Sequence, residues 1–130
     1  WYHPRDGNEE VYLRVARGAD LARAAAIGGP RLTNTTGHSI GAYTAWSGDR
    51  VGLAWCDDTE GQHEIYFAEF DASGTPRAET QRLTQTRAGS LIPSIARWRG
   101  GFVVAWNEWT GGPEGHDAEG RSQVMLRIVP

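Results

Sequence analysis

The sequence predicts an all-β chain assembled from repeats of a small four-stranded antiparallel sheet. Three observations carry that reading. Residues 31–55 (RLTNTTGHSIGAYTAWSGDRVGLAW) recur without a gap as residues 82–106 (RLTQTRAGSLIPSIARWRGGFVVAW), an offset of 51. Within each copy the apolar residues alternate at the period of a strand rather than of a helix. Glycine is abundant, at 17 residues, and methionine occurs once, which suits a turn-rich β protein better than a helix bundle.

Self-similarity at a fixed period is the signature of a repeat architecture. Arg31, Leu32, Thr33, Thr35, Ser39, Ala45, Ala54 and Trp55 return as Arg82, Leu83, Thr84, Thr86, Ser90, Ala96, Ala105 and Trp106. The second half of the unit repeats as well. WYHPRDGNEEVYL from Trp1 aligns with WCDDTEGQHEIYF from Trp55, keeping Gly7 with Gly61 and Glu10-Val11-Tyr12 with Glu64-Ile65-Tyr66. A third copy starts at Trp106 and resumes at Gln123-Val124-Met125-Leu126 after eight extra residues. Trp1, Trp55 and Trp106 are therefore one structural position met three times.

Taken in order, the chain opens at the end of a second strand and continues into a third near Glu10–Leu13. Residues 17–30 read either as an outer strand, which the repeat favours, or as a short Ala-rich helix capped by Asp20 and ending at Gly28. Ser39–Trp46 is the next strand, closed by a Ser47-Gly48-Asp49 turn. Val51–Asp57 follows, with Val51, Leu53 and Trp55 on one face. After a polar loop holding Gly61 come Glu64–Phe70, a hairpin turn at residues 71–75, and an outer strand over Arg77–Thr84. The second and third strands are apolar on both faces, the pattern of a sheet covered on both sides. Four-stranded sheets stacked around an axis, as in a β-propeller, give that cover. The organisation expected is a partial blade over 1–34, a complete blade over 35–86 and a three-stranded partial blade over 87–130 with an inserted loop at 107–122.

The 130 residues make one small domain of formal net charge −3, with no broad basic field for nucleic acid. No apolar run approaches the ~18 residues of a membrane-spanning helix. Cys56 is the single cysteine, which excludes an internal disulfide framework and a Cys-based zinc site. All thirteen basic residues are arginine, which reads as a GC-rich coding background and hence a high-GC bacterium, the alternative being selection for planar, bidentate contacts to carboxylates. The sequence starts at Trp1 without a start methionine, and it reads as a processed product or as a piece of a longer protein.

Arg-Leu-Thr, Ser, Pro93, Ala-Trp-Ser-Gly-Asp, Ala-Trp, Gly, Glu-Ile-Tyr and Phe-Asp-x-x-Gly, in that order, resemble the β-propeller repeats of TolB-like proteins. GGFVVAW and EFDASGTP resemble the repeats, roughly 50 residues long, of large bacterial surface and secreted proteins. The resemblance spans essentially the whole chain. The turn Trp46-Ser47-Gly48-Asp49 lacks the proline of the TolB-like pattern, and the last copy reads Ala96-Arg97-Trp98-Arg99-Gly100. The resemblance implies several blades in a periplasmic, cell-surface or secreted setting, and a role in binding proteins or glycans or in scaffolding an enzyme.

The strands present amount to about two and a half blades, against four to eight in a typical propeller. Additional polypeptide is expected to complete the stack, as the rest of the same protein or as another subunit. The expected function is a protein- or ligand-binding scaffold. The alternatives are part of a propeller hydrolase with its active site at the central channel, or a glycan-binding lectin. No G-x-S-x-G elbow, P-loop, His-Glu-x-x-His or sialidase-type Asp box occurs, so no catalytic residue is assigned and this chain alone is not expected to be an enzyme.

Trp1, Trp55 and Trp106, with Tyr12 and Tyr66, read as repeat core, the other reading of the tryptophans being a sugar-stacking platform. Trp46, Trp98 and Trp109 are candidates for exposed contact with a glycan or partner, since indole offers an apolar face and a donor. Asp6, Asp57, Asp58 and Glu60 follow the repeated tryptophans, as a calcium or catalytic cluster or as loop caps. Glu10 and Glu64 are expected to pair with the repeat arginines Arg31 and Arg82. The inserted loop is the main functional lead, because loops on a rigid scaffold carry function. Its Glu114, His116, Asp117 and Glu119 are candidate binding residues, with Asp117 and Glu119 as a calcium candidate. No other cofactor is expected. His3 and His63 fall at different repeat positions and make no repeated metal site. Cys56 reads as a small buried hydrophobe.

Overall fold

A computed structural model describes residues 1–5, 7–16, 18–20, 22–23, 28–87, 89–109 and 122–130. The fold is all-β. Strands β1 (Tyr2–His3) and β2 (Glu10–Val11) form a first sheet. Strands β3 (Ser39–Ser47), β4 (Arg50–Asp57), β5 (Glu64–Asp71) and β6 (Gln81–Arg82) form a second, in that order. Strands β7 (Ser90–Trp98), β8 (Gly101–Trp109) and β9 (Ser122–Val129) form a third. Every pairing is antiparallel between chain neighbours, and among the described residues no sheet closes on itself. No helix there is long and apolar enough to cross a membrane.

The sheets pack in series through the two faces of β4. Val51, Leu53 and Trp55 point to one side, where with Ala68 and Phe70 they bury Val11 and pack against Leu13 and Leu32. Ala54 and Cys56 point to the other, where with Ile65 and Phe67 they meet Phe102, Val104 and Trp106 of β8. Phe67 and Phe102 lie 5.6 Å apart at 51°, a tilted arrangement that suits the ring quadrupoles. Gly52 permits the close approach: a Cβ there would stand 2.8 Å from the Phe102 ring. A strand apolar on both faces is thus the middle layer of a sandwich of sheets.

The repeat is visible in the backbone. Both first strands break register at the same place, between Ile40 and Tyr43 and between Leu91 and Ser94. The bulge residue is Gly41 in one copy and Ile92 in the other, both at positive φ. The hydrogen bonds that tie the outer segment to the third strand, and the next sheet to the last, also match. Leu32 N–H donates to Val11 O at 2.8 Å and Leu83 N–H to Ile65 O at 2.7 Å. Ser39 N–H donates to Glu9 O at 2.8 Å and Ser90 N–H to His63 O at 2.7 Å.

The outer strands depart from expectation. Arg77–Thr84 contracts to β6 (Gln81–Arg82) and an isolated bridge between Phe70 and Pro76, since proline supplies no ladder donor. In the first unit the outer strand shrinks to a bridge between Tyr12 and Arg31. Within 17–30, Gly18–Asp20 form a 3-10 turn and Ala22–Arg23 are helical, so the described residues favour the helix reading over the strand.

Candidate functional site

The repeated Arg-Leu-Thr-x-Thr segment latches the end of each sheet to its third strand and leads on into the next sheet. Glu10 is fully buried, and its Oε1 accepts from Arg31 Nη2 at 2.6 Å and from Thr35 N–H at 3.0 Å. Thr33 Oγ1 accepts from Val11 N–H at 2.8 Å. One repeat later, buried Glu64 pairs with Arg82 Nη2 at 3.3 Å and accepts from Thr86 N–H at 2.8 Å. Thr84 Oγ1 accepts from Ile65 N–H at 2.8 Å and donates to Glu64 Oε2. Both expected arginine–glutamate pairs are present. The threonines could have been recognised from their fixed spacing after each arginine, but their partners lie some twenty residues away in the chain, which no local pattern displays.

The first latch runs on into β4. Thr35 Oγ1 donates to Asp57 Oδ2 at 3.1 Å, as does Ser39 Oγ at 2.5 Å, and Thr59 N–H donates to Oδ1 at 2.9 Å. Burial by itself would raise the Asp57 carboxyl. The hydroxyls of Ser39, Thr59 and Thr35 and the Thr59 N–H bond its charged form and hold it below the ordinary 3.8. Asp57 is therefore an ionised carboxylate whose neighbours are neutral donors.

Above it opens a cleft of about 340 Å³. Trp55 and Tyr66 stand opposite each other across β4 and β5 and stack at 5.9 Å and 19°. They form the aromatic wall, while Thr33, Thr35 and Thr59 supply hydroxyls and Asp57 and Glu60 carboxylates. The Tyr66 phenol is pushed above its usual 10.0, first by burial, then by Asp57, Glu60 and Glu64 against the opposing pull of Arg82.

One repeat earlier in the chain lies a corresponding cleft, of about 220 Å³, lined by Trp1, His3, Arg5, Tyr12 and Gly28. Trp1 stacks on Tyr12 at 5.8 Å and 15°. Trp1, His3, Arg5 and Tyr12 fall at the repeat positions of Trp55, Asp57, Thr59 and Tyr66. The same frame thus carries two linings, and the Arg5 guanidinium lies 4.6 Å from the Tyr12 ring centroid.

The remaining candidates scatter. Trp55 and Trp106 are 3% and 6% exposed, whereas Trp1 is 50% exposed. Trp46 and Trp98 are exposed, and Arg99 lies 5.1 Å over the Trp98 ring. Trp109 is half-buried, with its backbone N–H donating to Gly89 O at 3.2 Å. Trp98 and Trp109 end β7 and β8 at opposite ends of the third sheet, so they make no single platform. Asp58 Oδ1 caps His38 N–H at 2.5 Å. Cys56 is buried, its Sγ 3.4 Å from Ile40 O, and burial pushes the thiol up. Asp6, Glu114, His116, Asp117 and Glu119 lie outside the described residues. Among the described residues no three His, Cys, Asp or Glu side chains gather to hold a metal ion.

No protein-family model matches the chain, and no curated protein matches it.

Proposed function

We propose that this chain is a section of a propeller-type stack of sheets that serves as a binding scaffold, with the Trp55–Tyr66 cleft as its ligand seat. One observation carries the reading: the aromatic cleft is built twice at the same repeat positions, and its lining changes while its frame does not. A rigid frame with variable lining is how a scaffold presents recognition groups. The resemblance to TolB-like and surface-protein repeats, with the all-arginine composition, supports a periplasmic, surface or secreted location in a high-GC bacterium.

The third sheet supports the need for further polypeptide. Val103, Ala105, Val124 and Leu126 occupy the repeat positions of Gly52, Ala54, Ile65 and Phe67. In the second sheet that face is buried under β8. In the third it lies open, with Leu126 66% exposed. The occupant that fits is another sheet of the same repeat.

The ligand reading is tested by indole ¹⁵N NMR of the six tryptophans during titration with a panel of short peptides and methyl glycosides. A binder is expected to move the Trp55 resonance and leave Trp46 and Trp98 in place. A panel that moves only Trp98 or Trp109, or none, overturns the assignment of the seat.

A further inference from the structure

The two clefts differ in one telling respect. In the first, the chain brings its own cation to the aromatic wall: Arg5 sits 4.6 Å over Tyr12, whose other neighbour is the stacked Trp1. In the second, the position of Arg5 is held by Thr59, and that of His3 by Asp57. A cation has been replaced by a small hydroxyl residue, and an imidazole by a carboxylate. The second cleft is also the roomier, at about 340 against 220 Å³.

The charges in the second cleft are one-sided. The carboxylates on its lining are Asp57 and Glu60, and Arg82 approaches Glu60 from outside the lining. Arg82 is already committed to buried Glu64 at 3.3 Å and reaches Glu60 only at 3.9 Å. The lining thus carries two carboxylates and no basic residue, with Arg82 at its margin. Asp57 receives hydrogen bonds from Ser39, Thr35 and Thr59, which stabilise its charge without cancelling it. A positive group over an aromatic ring gains from the ring quadrupole, and gains more where it is partly desolvated. A planar guanidinium combines such stacking with donation to carboxylates.

We propose that the Trp55–Tyr66 cleft receives an arginine side chain of a polypeptide partner, in the place that Arg5 fills internally one repeat earlier. The proposal rests on the reading of this cleft as a ligand seat and adds the chemistry of what it takes. The guanidinium lies over the Tyr66 ring, as Arg5 lies over Tyr12, and donates to Glu60, with Asp57 supplying field.

The test is a titration of the whole chain with the capped tripeptides Gly-Arg-Gly, Gly-Lys-Gly and Gly-citrulline-Gly, read at the Trp55 indole. Citrulline keeps the planar shape and loses the charge. The arginine peptide is expected to bind at least about fivefold more tightly than the citrulline peptide, with affinity falling in high salt. Glu60→Gln is expected to weaken it by up to about fivefold, the range of one partly exposed ion pair. Thr59→Arg, a change on an exposed loop that restores the residue type of the first cleft, is expected to fill the site from within and abolish binding. Equal binding of arginine and citrulline peptides, or full binding by Thr59→Arg, overturns the proposal. A methyl glycoside that moves Trp55 when arginine does not overturns the cation and leaves the ligand seat standing. Silence from every probe overturns both.

Discussion

Two residues at one repeat position show how the backbone imposes terms on the sequence. Gly41 and Ile92 each sit at the bulge of a first strand, with φ of 62° and 56°. Glycine visits that region freely, whereas a β-branched residue there pays about 1–2 kcal/mol in steric strain. Ile92 is 64% exposed, so its side chain returns little through packing. Ile92→Gly is therefore expected to stabilise the fold by about 0.5–1 kcal/mol, the relieved strain less the added freedom of the unfolded chain. The reciprocal Gly41→Ala is expected to cost about 1 kcal/mol or more, since its Cβ would also meet Cys56 Sγ at 3.3 Å. Urea melts of the two variants check both signs. The turn that follows obeys a similar logic: Arg99 and Gly100 both have positive φ, as a two-residue type I′ hairpin requires.

At the scale of the element, the latch shows what sequence patterns disclose and what they conceal. The long strands were legible because Val51, Leu53 and Trp55 alternate with Gly52, Ala54 and Cys56, and alternation is a local property of a strand. The outer strands were not, because Pro76 and Pro30 break the ladder that the repeat leads one to expect. The Trp55–Tyr66 stack was legible as a repeated pair, but the cleft beside it was not. It needs Thr33 and Thr35 from the latch, Thr59 from a loop and Glu60 beyond it, brought together across the fold. The latch itself has a steep energetic asymmetry. Glu64 is fully buried, and Arg82 is its cationic partner at 3.3 Å. Truncating one member of a buried pair leaves an uncompensated charge and costs about 3–5 kcal/mol. Arg82→Ala is expected near the lower end, about 3 kcal/mol, because Thr84 Oγ1 and Thr86 N–H still bond the carboxylate. Arg82→Ala with Glu64→Gln is expected to recover much of that loss by removing the stranded charge. Equilibrium denaturation of the two variants makes the comparison, and a double variant no more stable than the single would refute the account.

For the whole molecule the decisive feature is serial packing: the first sheet is covered by the second and the second by the third, while the third is not covered among the described residues. The open face of β9 carries Val124, Leu126 and Ile128, all strongly exposed, beside Val103 and Ala105 of β8. The outer edge of β9 also pairs with no strand among the described residues. Apolar surface and an unpaired edge on one element promote association. The isolated chain is thus expected to self-associate through this face, using a second copy in place of the missing neighbour. Leu126→Lys with Ile128→Lys would put two cations on the face without touching the buried clusters around Phe67 and Phe102. Exposed substitutions of this kind change stability by about 0.5 kcal/mol or less. Sedimentation velocity across a concentration series is expected to show the unaltered chain shifting to larger species and the double variant staying monomeric with its melting curve intact. If the unaltered chain stays monomeric at every concentration, the face is not adhesive and needs no sheet to cover it. If the variant unfolds, the face contributes to the fold of this chain and is not a surface held in reserve for another.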